Sequence, residues 1–195
     1  MSKIGIGKFH YAVQSSGHED SPTADAQYET AVAVPGLVSV DVQTESEMNT
    51  LYADDIAYET AQSAIKITLN LDMADCPLQM QADLLGHTYD AQTKEMIKKG
   101  SDTSKYAAVM FEFHMANGST QCVKLYNGKF SEVAQQGNTR GENVDFQTNT
   151  LTGEFVALKG KANNAGKWQF LKEYAQGEST DAFYTAPIVS PDPTV

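Results

Sequence analysis

The strongest constraint on the fold is a pair of alternating segments. From Leu37 to Thr44, Val38, Val40 and Val42 alternate with Ser39, Asp41 and Gln43; from Ala64 to Leu71, Ile65, Ile67, Leu69 and Leu71 alternate with Lys66, Thr68 and Asn70. Successive side chains of a strand point to opposite faces, so each segment predicts a strand with one buried and one wet face. The two are expected to pair. The link between them is about 19 residues long, whereas an ordinary hairpin uses about two to five.

The centre of that link, Asn49 to Ala61, reads NTLYADDIAYETA and contains no Gly or Pro for a tight turn. Leu51, Tyr52, Ile56 and Tyr58 flank the adjacent acids Asp54 and Asp55. Loops of this length are functional or disordered, and the large apolar side chains argue against disorder. The link therefore predicts a structured arm over residues 45–62 that reaches for another surface.

The remaining chain reads as short strands with one helix. Phe9, Tyr11 and Val13 share a face of a strand over Lys8 to Gln14, and Ser15 to Asp25 is a polar loop. Asp75 is the expected N-cap of a helix with Pro77 in its first turn, Leu78, Ala82 and Leu85 on one face and Gly86 as the stop. Tyr89 to Ser104 reads as a surface loop. Tyr106 to Met115 is a strand with Val109, Phe111 and Phe113 facing in; Asn117-Gly118 marks a turn, and Gln121 to Val133 is a strand bulged or turned at Asn127-Gly128. Thr148 to Lys159 and Lys167 to Tyr174 complete about seven strands. The Pro-rich stretch over 177–195 is expected as an extended arm outside the core. A mainly β, antiparallel sandwich or barrel with one flanking α-helix and a long inter-strand arm follows, as one domain over 1–195.

Acids outnumber bases by 25 to 14, giving a net charge of −11, and no basic cluster exceeds Lys98-Lys99. A protein gripping nucleic acid by its phosphates needs the opposite balance. No run of about 18 apolar residues predicts a spanning helix, so no membrane partner is expected. MSKIGIGKFHY lacks the apolar core of a signal peptide, which predicts synthesis in a cytoplasm. Cys76 and Cys122 lie far apart without CxxC spacing and fit buried thiols.

Chemistry-bearing patterns are weak. Asp54 and Asp55 would point to opposite sides of an extended segment, which disfavours a shared proton or metal, and no second carboxylate is placed for glycoside cleavage. His10, His18, His87 and His114 show no HxH or HExxH spacing. GxSxG is absent, and Gly5-Ile6-Gly7 meets His10 where a third glycine would stand. Arg140, the lone arginine, reads as part of a turn or a subunit contact, and Trp168 with Phe170 as core or interface. No catalytic residue, cofactor or metal ligand is assigned, and the chain is not expected to be an enzyme.

The order PGLVSVDVQTESEMNTLYADDIAYET (Pro35 to Thr60), an apolar strand, a short helix ending in DLLGH and a late TNTLTGEF resembles the major tail proteins of long-tailed, non-contractile bacteriophages of Gram-positive bacteria. The resemblance spans roughly Phe9 to Lys159. It implies two packed antiparallel sheets with a flanking helix, homo-hexameric rings, and rings stacked into a tail tube through which DNA passes without specific binding. Ser39, Asp41, Gln43, Lys66, Thr68, Asn70 and Glu154 become candidates for the lumen wall, with Lys66 cutting against a purely acidic surface. Leu51, Tyr52, Asp54, Asp55, Ile56 and Tyr58 become arm contacts between subunits or rings. Implied partners are further copies of the chain, a tape-measure protein, and tail-tip and terminator proteins; the implied location is the virion tail, after assembly in the host cytoplasm. Contractile tails share the tube fold, but NTLYADD points to the non-contractile group, and the extra immunoglobulin-like domain of some relatives is not expected. Two other readings are a carbohydrate- or ligand-binding sandwich using Tyr106, Tyr126, Trp168 and Tyr174, and a hydrolase using Asp54 and Asp55.

Overall fold

The computed structural model describes residues 2–16, 26–53, 56–63, 65–133, 148–158, 166–185 and 188–189. The strands are β1 (Lys3–Ser16), β2 (Gln27–Tyr28), β3 (Val32–Ala33), β4 (Leu37–Glu45), β5 (Met48–Ala53), β6 (Ile56–Gln62) and β7 (Lys66–Met73). After helix α1 (Leu78–Leu85) come β8 (Thr88–Asp90), β9 (Glu95–Ile97), β10 (Ala107–Met115), β11 (Thr120–Phe130), β12 (Asn149–Val156) and β13 (Gln169–Tyr174), then helix α2 (Asp181–Thr185). Nine of these strands form one antiparallel sheet in the order β2-β1-β10-β11-β12-β7-β4, with β3 also on β1 and β13 also on β11. The mainly β, antiparallel fold is the one expected, but among the described residues the sheet does not close into a barrel.

The sheet forks at β11. Thr120 to Leu125 pair with β13, whereas Gly128 to Phe130 pair with β12. Between these halves Asn127 has φ 52, and the pairing with β10 slips between Leu125 and Gly128, so the bulge expected at Asn127-Gly128 is present. Here two cross-strand pairs place a phenyl ring over a glycine. Gly128 lies opposite Phe155 and Gly153 opposite Phe130, with the two rings edge to face at 5.7 Å. A Cβ on Gly153 would sit 2.7 Å from the Phe130 ring, and one on Gly128 would overlap the Phe155 ring outright.

The fork gives the molecule its main core. Phe9 and Tyr11 of β1, Val109 and Phe111 of β10 and Val123 and Leu125 of β11 meet Ile67, Leu69 and Leu71 of β7 and Leu151 and Phe155 of β12, all buried. Leu37, Val40 and Val42 of β4 pack on the same cluster. Val38 was expected among them, but a register shift between Leu37 and Ser39 turns it out to solvent and puts Leu37 in its place.

Helix α1 closes one side of this core with Ala82 and Leu85 of the expected face, but without Leu78. Pro77, not Asp75, occupies the N-cap position, and no side chain caps it. Met80, Gln81, Ala82, Leu84 and Leu85 are buried while Leu78 is exposed. Gly86 ends the helix as read, with φ 77 and its N–H bonded to the Ala82 carbonyl at 2.9 Å. The expected surface loop after it contains the β8–β9 hairpin. Beside that hairpin the buried His87 ring lies between Asp102 (Nδ1 to Oδ2, 2.9 Å) and Glu132 (Nε2 to Oε1, 2.8 Å).

A second core covers the opposite face of β1, β10 and β11. Ala12, Ala108, Met110, Cys122 and Tyr126 pack there with Tyr174, Phe183, Tyr184 and Ile188. Strand β10 is thus buried on both faces, which explains its near-continuous apolar run. The same cluster corrects the reading of the C-terminal stretch. Residues 181–185 form α2, and Phe183 and Tyr184 belong to the core, because among the described residues no other layer excludes water from that face of the sheet.

Gly128→Ala is expected to cost about 1–3 kcal/mol from overpacking, read as a lowered urea midpoint. Adding Phe155→Leu, which removes the opposing ring edge, is expected to give the double variant less than the sum of the two single losses.

Candidate assembly surfaces

The outward face of β4, β7 and β12 is a polar grid set by register. Reading across the three strands, Ser39, Asp72 and Thr150 form one row, Asp41, Asn70 and Thr152 the next, then Gln43, Thr68 and Glu154, and finally Glu45, Lys66 and Val156. Asp72 accepts hydrogen bonds from Ser39 Oγ and Thr150 Oγ1, both at 2.7 Å, which hold its carboxyl below the usual carboxylate range. Thr152 Oγ1 donates to Asn70 Oδ1 at 2.9 Å, Gln43 Nε2 to Asp41 Oδ2 at 2.6 Å, and Lys66 pairs with Glu154 at 2.8 Å, which raises the Lys66 ammonium's pKa.

All seven residues singled out from the sequence, Ser39, Asp41, Gln43, Lys66, Thr68, Asn70 and Glu154, come together on this face. Glu45, Asp72, Thr150 and Thr152 share it and were not singled out; the same alternation carried a step further along each strand would have found them. The grid holds the carboxylates of Asp41, Glu45, Asp72 and Glu154 against the single ammonium of Lys66.

The arm is a β-ribbon. Glu45 faces Lys66 at the end of the β4–β7 ladder, Ser63 N–H donates to Glu47 O and Glu47 N–H to Ser63 Oγ, each at 2.8 Å, and Met48 then faces Gln62 at the start of the β5–β6 ladder. The ribbon therefore prolongs the β4–β7 hairpin. Six strand residues carry it roughly 20 Å further. Leu51 faces Glu59 and Tyr52 faces Ala57, so Tyr58 is the extra residue of a bulge. Met48, Leu51, Ile56 and Tyr58 are 72%, 60%, 69% and 75% exposed. Single exposed apolar side chains are ordinary on a protein surface, but Leu51 and Ile56 share one face of a two-stranded ribbon, a form marginal by itself in water, with Tyr58 at the bulge and Met48 on the other face, and no described residue covers them. Asp54 and Asp55 lie outside the described residues, and Tyr52 is described by its backbone alone.

The third surface is the docked C-terminal segment. Buried Glu112 of β10 accepts hydrogen bonds through Oε2 from Thr180 Oγ1 (2.9 Å) and Tyr184 OH (3.2 Å). Lys8, at φ 48 in the bulge of β1, reaches Thr180 Oγ1 at 2.8 Å and Asp181 Oδ1 at 3.1 Å, and His10 stacks on Tyr184 at 4.2 Å. Burial pushes the Cys122 thiol up to about 12, with Glu112 adding to the effect. The Lys124 ammonium, buried 4.5 Å above the Phe183 ring, is pushed down to about 8 by the same loss of water. Sequence reasoning missed this cluster, since Glu112 and Lys124 sit among apolar neighbours with nothing local to show that a distant helix covers them.

Other sequence candidates disperse. Tyr126 and Tyr174 are buried in the second core and Trp168 packs partly against the first, so an aromatic platform with Tyr106 is not assembled on the surface. Arg140 and His18 lie outside the described residues. Among the described residues no group of three or more His, Cys, Asp or Glu could hold a metal ion, and no helix is long and apolar enough to cross a membrane.

No protein-family model and no curated protein matches the sequence. Among solved structures, the chain is similar to one in the cryo-EM structure of the anti-feeding prophage baseplate, 6-fold symmetrised, at 12% identity and a TM-score of 0.34, covering 91% of this chain and 100% of that one. A likeness of that size leaves fold and role to be argued from this chain's own residues.

Lys124 gives the C-terminal cover a pH signature. The folded protein sheds this proton near pH 8 and the unfolded chain near its ordinary 10.5, so between those values the unfolded chain holds more protons and this group's contribution to stability rises with pH. Comparing urea unfolding of the wild type with Lys124→Met from pH 7.5 to 10.5 isolates the effect. The wild type is expected to gain on the order of 3 kcal/mol relative to the variant across that window.

Proposed function

We propose that this chain is a structural phage protein, the subunit of a non-contractile tail tube, in which homo-hexameric rings stack into a conduit for DNA. The exposed apolar ribbon carries this reading. A two-stranded ribbon bearing Leu51, Ile56 and Tyr58 in water gains stability only when another surface covers it. The resemblance of the Pro35 to Thr60 stretch to tail-tube subunits supplies the kind of surface, a neighbouring subunit in the same or the next ring.

Two further features support it. In the described residues β4 pairs with β7 alone and β13 with β11 alone. Unpaired edges aggregate unless assembly covers them, and a closed ring does so. The polar grid of β4, β7 and β12 suits the wall of a wet channel. Its excess carboxylates repel phosphate weakly at the ionic strength of a cell, so DNA can slide past without being held. In this reading the tape-measure protein fills the channel before ejection, the tail-tip and terminator proteins bound the tube, and the chain resides in the virion tail. It has no catalytic role and needs no cofactor.

The reading is tested by assembly of a ribbon variant. The triple change Leu51→Ser, Ile56→Ser and Tyr58→Ser touches only exposed side chains, so circular dichroism and the urea midpoint are expected to stay near wild type. Large assemblies, followed by light scattering at rising concentration, are expected to disappear. Wild-type levels of assembly by this variant would remove the role given to the ribbon.

A further inference from the structure

The two main layers of the sandwich leave a slot open between their edge strands. It is about 390 Å³ in volume and is bordered by Val40, Val42 and Thr44 of β4 on one side and by Gln169 and Leu171 of β13 on the other. Phe113 and Val123 form its floor. Leu171 lies on the β13 face that pairs with Val123, the face turned to the main core, yet it is 51% exposed, since none of the described residues fills the space above it. Asp41, which points away from the core, also borders the slot, so the opening extends across the unpaired edge of β4.

We infer that this slot receives the β5–β6 ribbon of a second copy of the chain. The inference rests on the proposed assembly and names the receptor surface for its arm. Three observations commit it to that occupant. The ribbon continues the β4–β7 hairpin away from the body, so a chain's own ribbon is carried away from its own slot, which begins only a few residues earlier on β4.

Chemistry matches as well. One face of the ribbon carries exposed Leu51 and Ile56, and the slot offers Val40, Val42, Phe113, Val123 and Leu171. Charge is complementary too. From residue 45 to residue 65 the sequence has acids and no Lys, Arg or His, while the cation bordering the slot is Lys3, whose Nζ lies 3.6 Å over the Phe113 ring. Asp41, the one acid at the rim, already accepts a hydrogen bond from Gln43.

Ribbon and slot are different patches of one chain, so the contact is heterologous. Such contacts repeat from copy to copy and generate a ring or a filament rather than a two-fold dimer. Leu51 and Ile56 then enter the slot above Val123 and Leu171, and Glu47 and Glu59 lie toward Lys3 at its rim.

Disulfide trapping between copies tests this directly. Leu51→Cys and Leu171→Cys are made as separate variants, both at exposed positions; native Cys76 and Cys122 are buried, and the unsubstituted protein serves as the control. The two variants are mixed under mild oxidation, and linked peptides are identified by mass spectrometry while the same sample is imaged by electron microscopy. The expected result is a covalent dimer joining position 51 of one copy to position 171 of another, several-fold above any 51-to-51 or 171-to-171 product. Tubes or rings without that link would overturn the slot assignment and leave the tube reading standing. A sample with neither assemblies nor the link would overturn both. As a second check, Leu171→Glu, which places a carboxylate against the acidic ribbon, is expected to raise the concentration needed for assembly at least tenfold, and Leu171→Met to leave it within about twofold. Equal behaviour of the two variants would also overturn the assignment.

Discussion

The bend in β11 at Asn127-Gly128 is the constraint on which the rest of the molecule depends. A flat strand would pair along its whole length with one neighbour and leave a single sheet with two open faces. The bulge turns its second half onto β12 while its first half stays with β13, and the sheet folds over on itself. The turn is possible because Gly128 and Gly153 have no Cβ where the rings of Phe155 and Phe130 lie. The main core, the polar grid on its outside and the open slot at its end all follow from that change of partner.

The bend also decides which faces need cover. With β12, β7 and β4 folded across one side of β1, β10 and β11, the other side is left to the C-terminal segment. That segment supplies aromatic bulk through Phe183 and Tyr184 and two hydroxyls to the Glu112 carboxylate. A buried carboxylate or ammonium costs free energy unless its partners arrive with the cover, so Glu112 and Lys124 favour one docked arrangement over a looser apolar collapse.

Legibility in the sequence followed the range of the forces involved. The alternation in β4 and β7, the pairing of those strands, the inward Phe9, Tyr11 and Val13, the turn at Gly118 and the αL stop at Gly86 were all readable, because each depends on neighbours along the chain or directly opposite. Val38 was misplaced because a one-residue bulge reverses the facing of what precedes it. Leu78 was misplaced because the sheet, rather than the helix's own pattern, chose the buried face of α1. The docking of α2 was invisible, since the partners of Thr180 and Tyr184 lie 68 and 72 residues away at Glu112. Of the surfaces, six residues of the polar grid, Ser39, Asp41, Gln43, Lys66, Thr68 and Asn70, were placed on one face by periodicity, Glu154 was added through the resemblance, and the arm was found by its length and apolar content. The slot was not, because it is made by Val40, Phe113, Val123 and Leu171 from four strands that only the folded sheet brings together.

Everything proposed about function depends on whether the subunit builds hollow, closed assemblies from itself. Negative-stain electron microscopy of the purified protein at rising concentration tests that most directly. The account predicts rings with an open centre, with six-fold symmetry in end views, that stack into tubes as concentration increases. A protein that remains monomeric at every concentration, or that forms solid aggregates without a lumen, would contradict it.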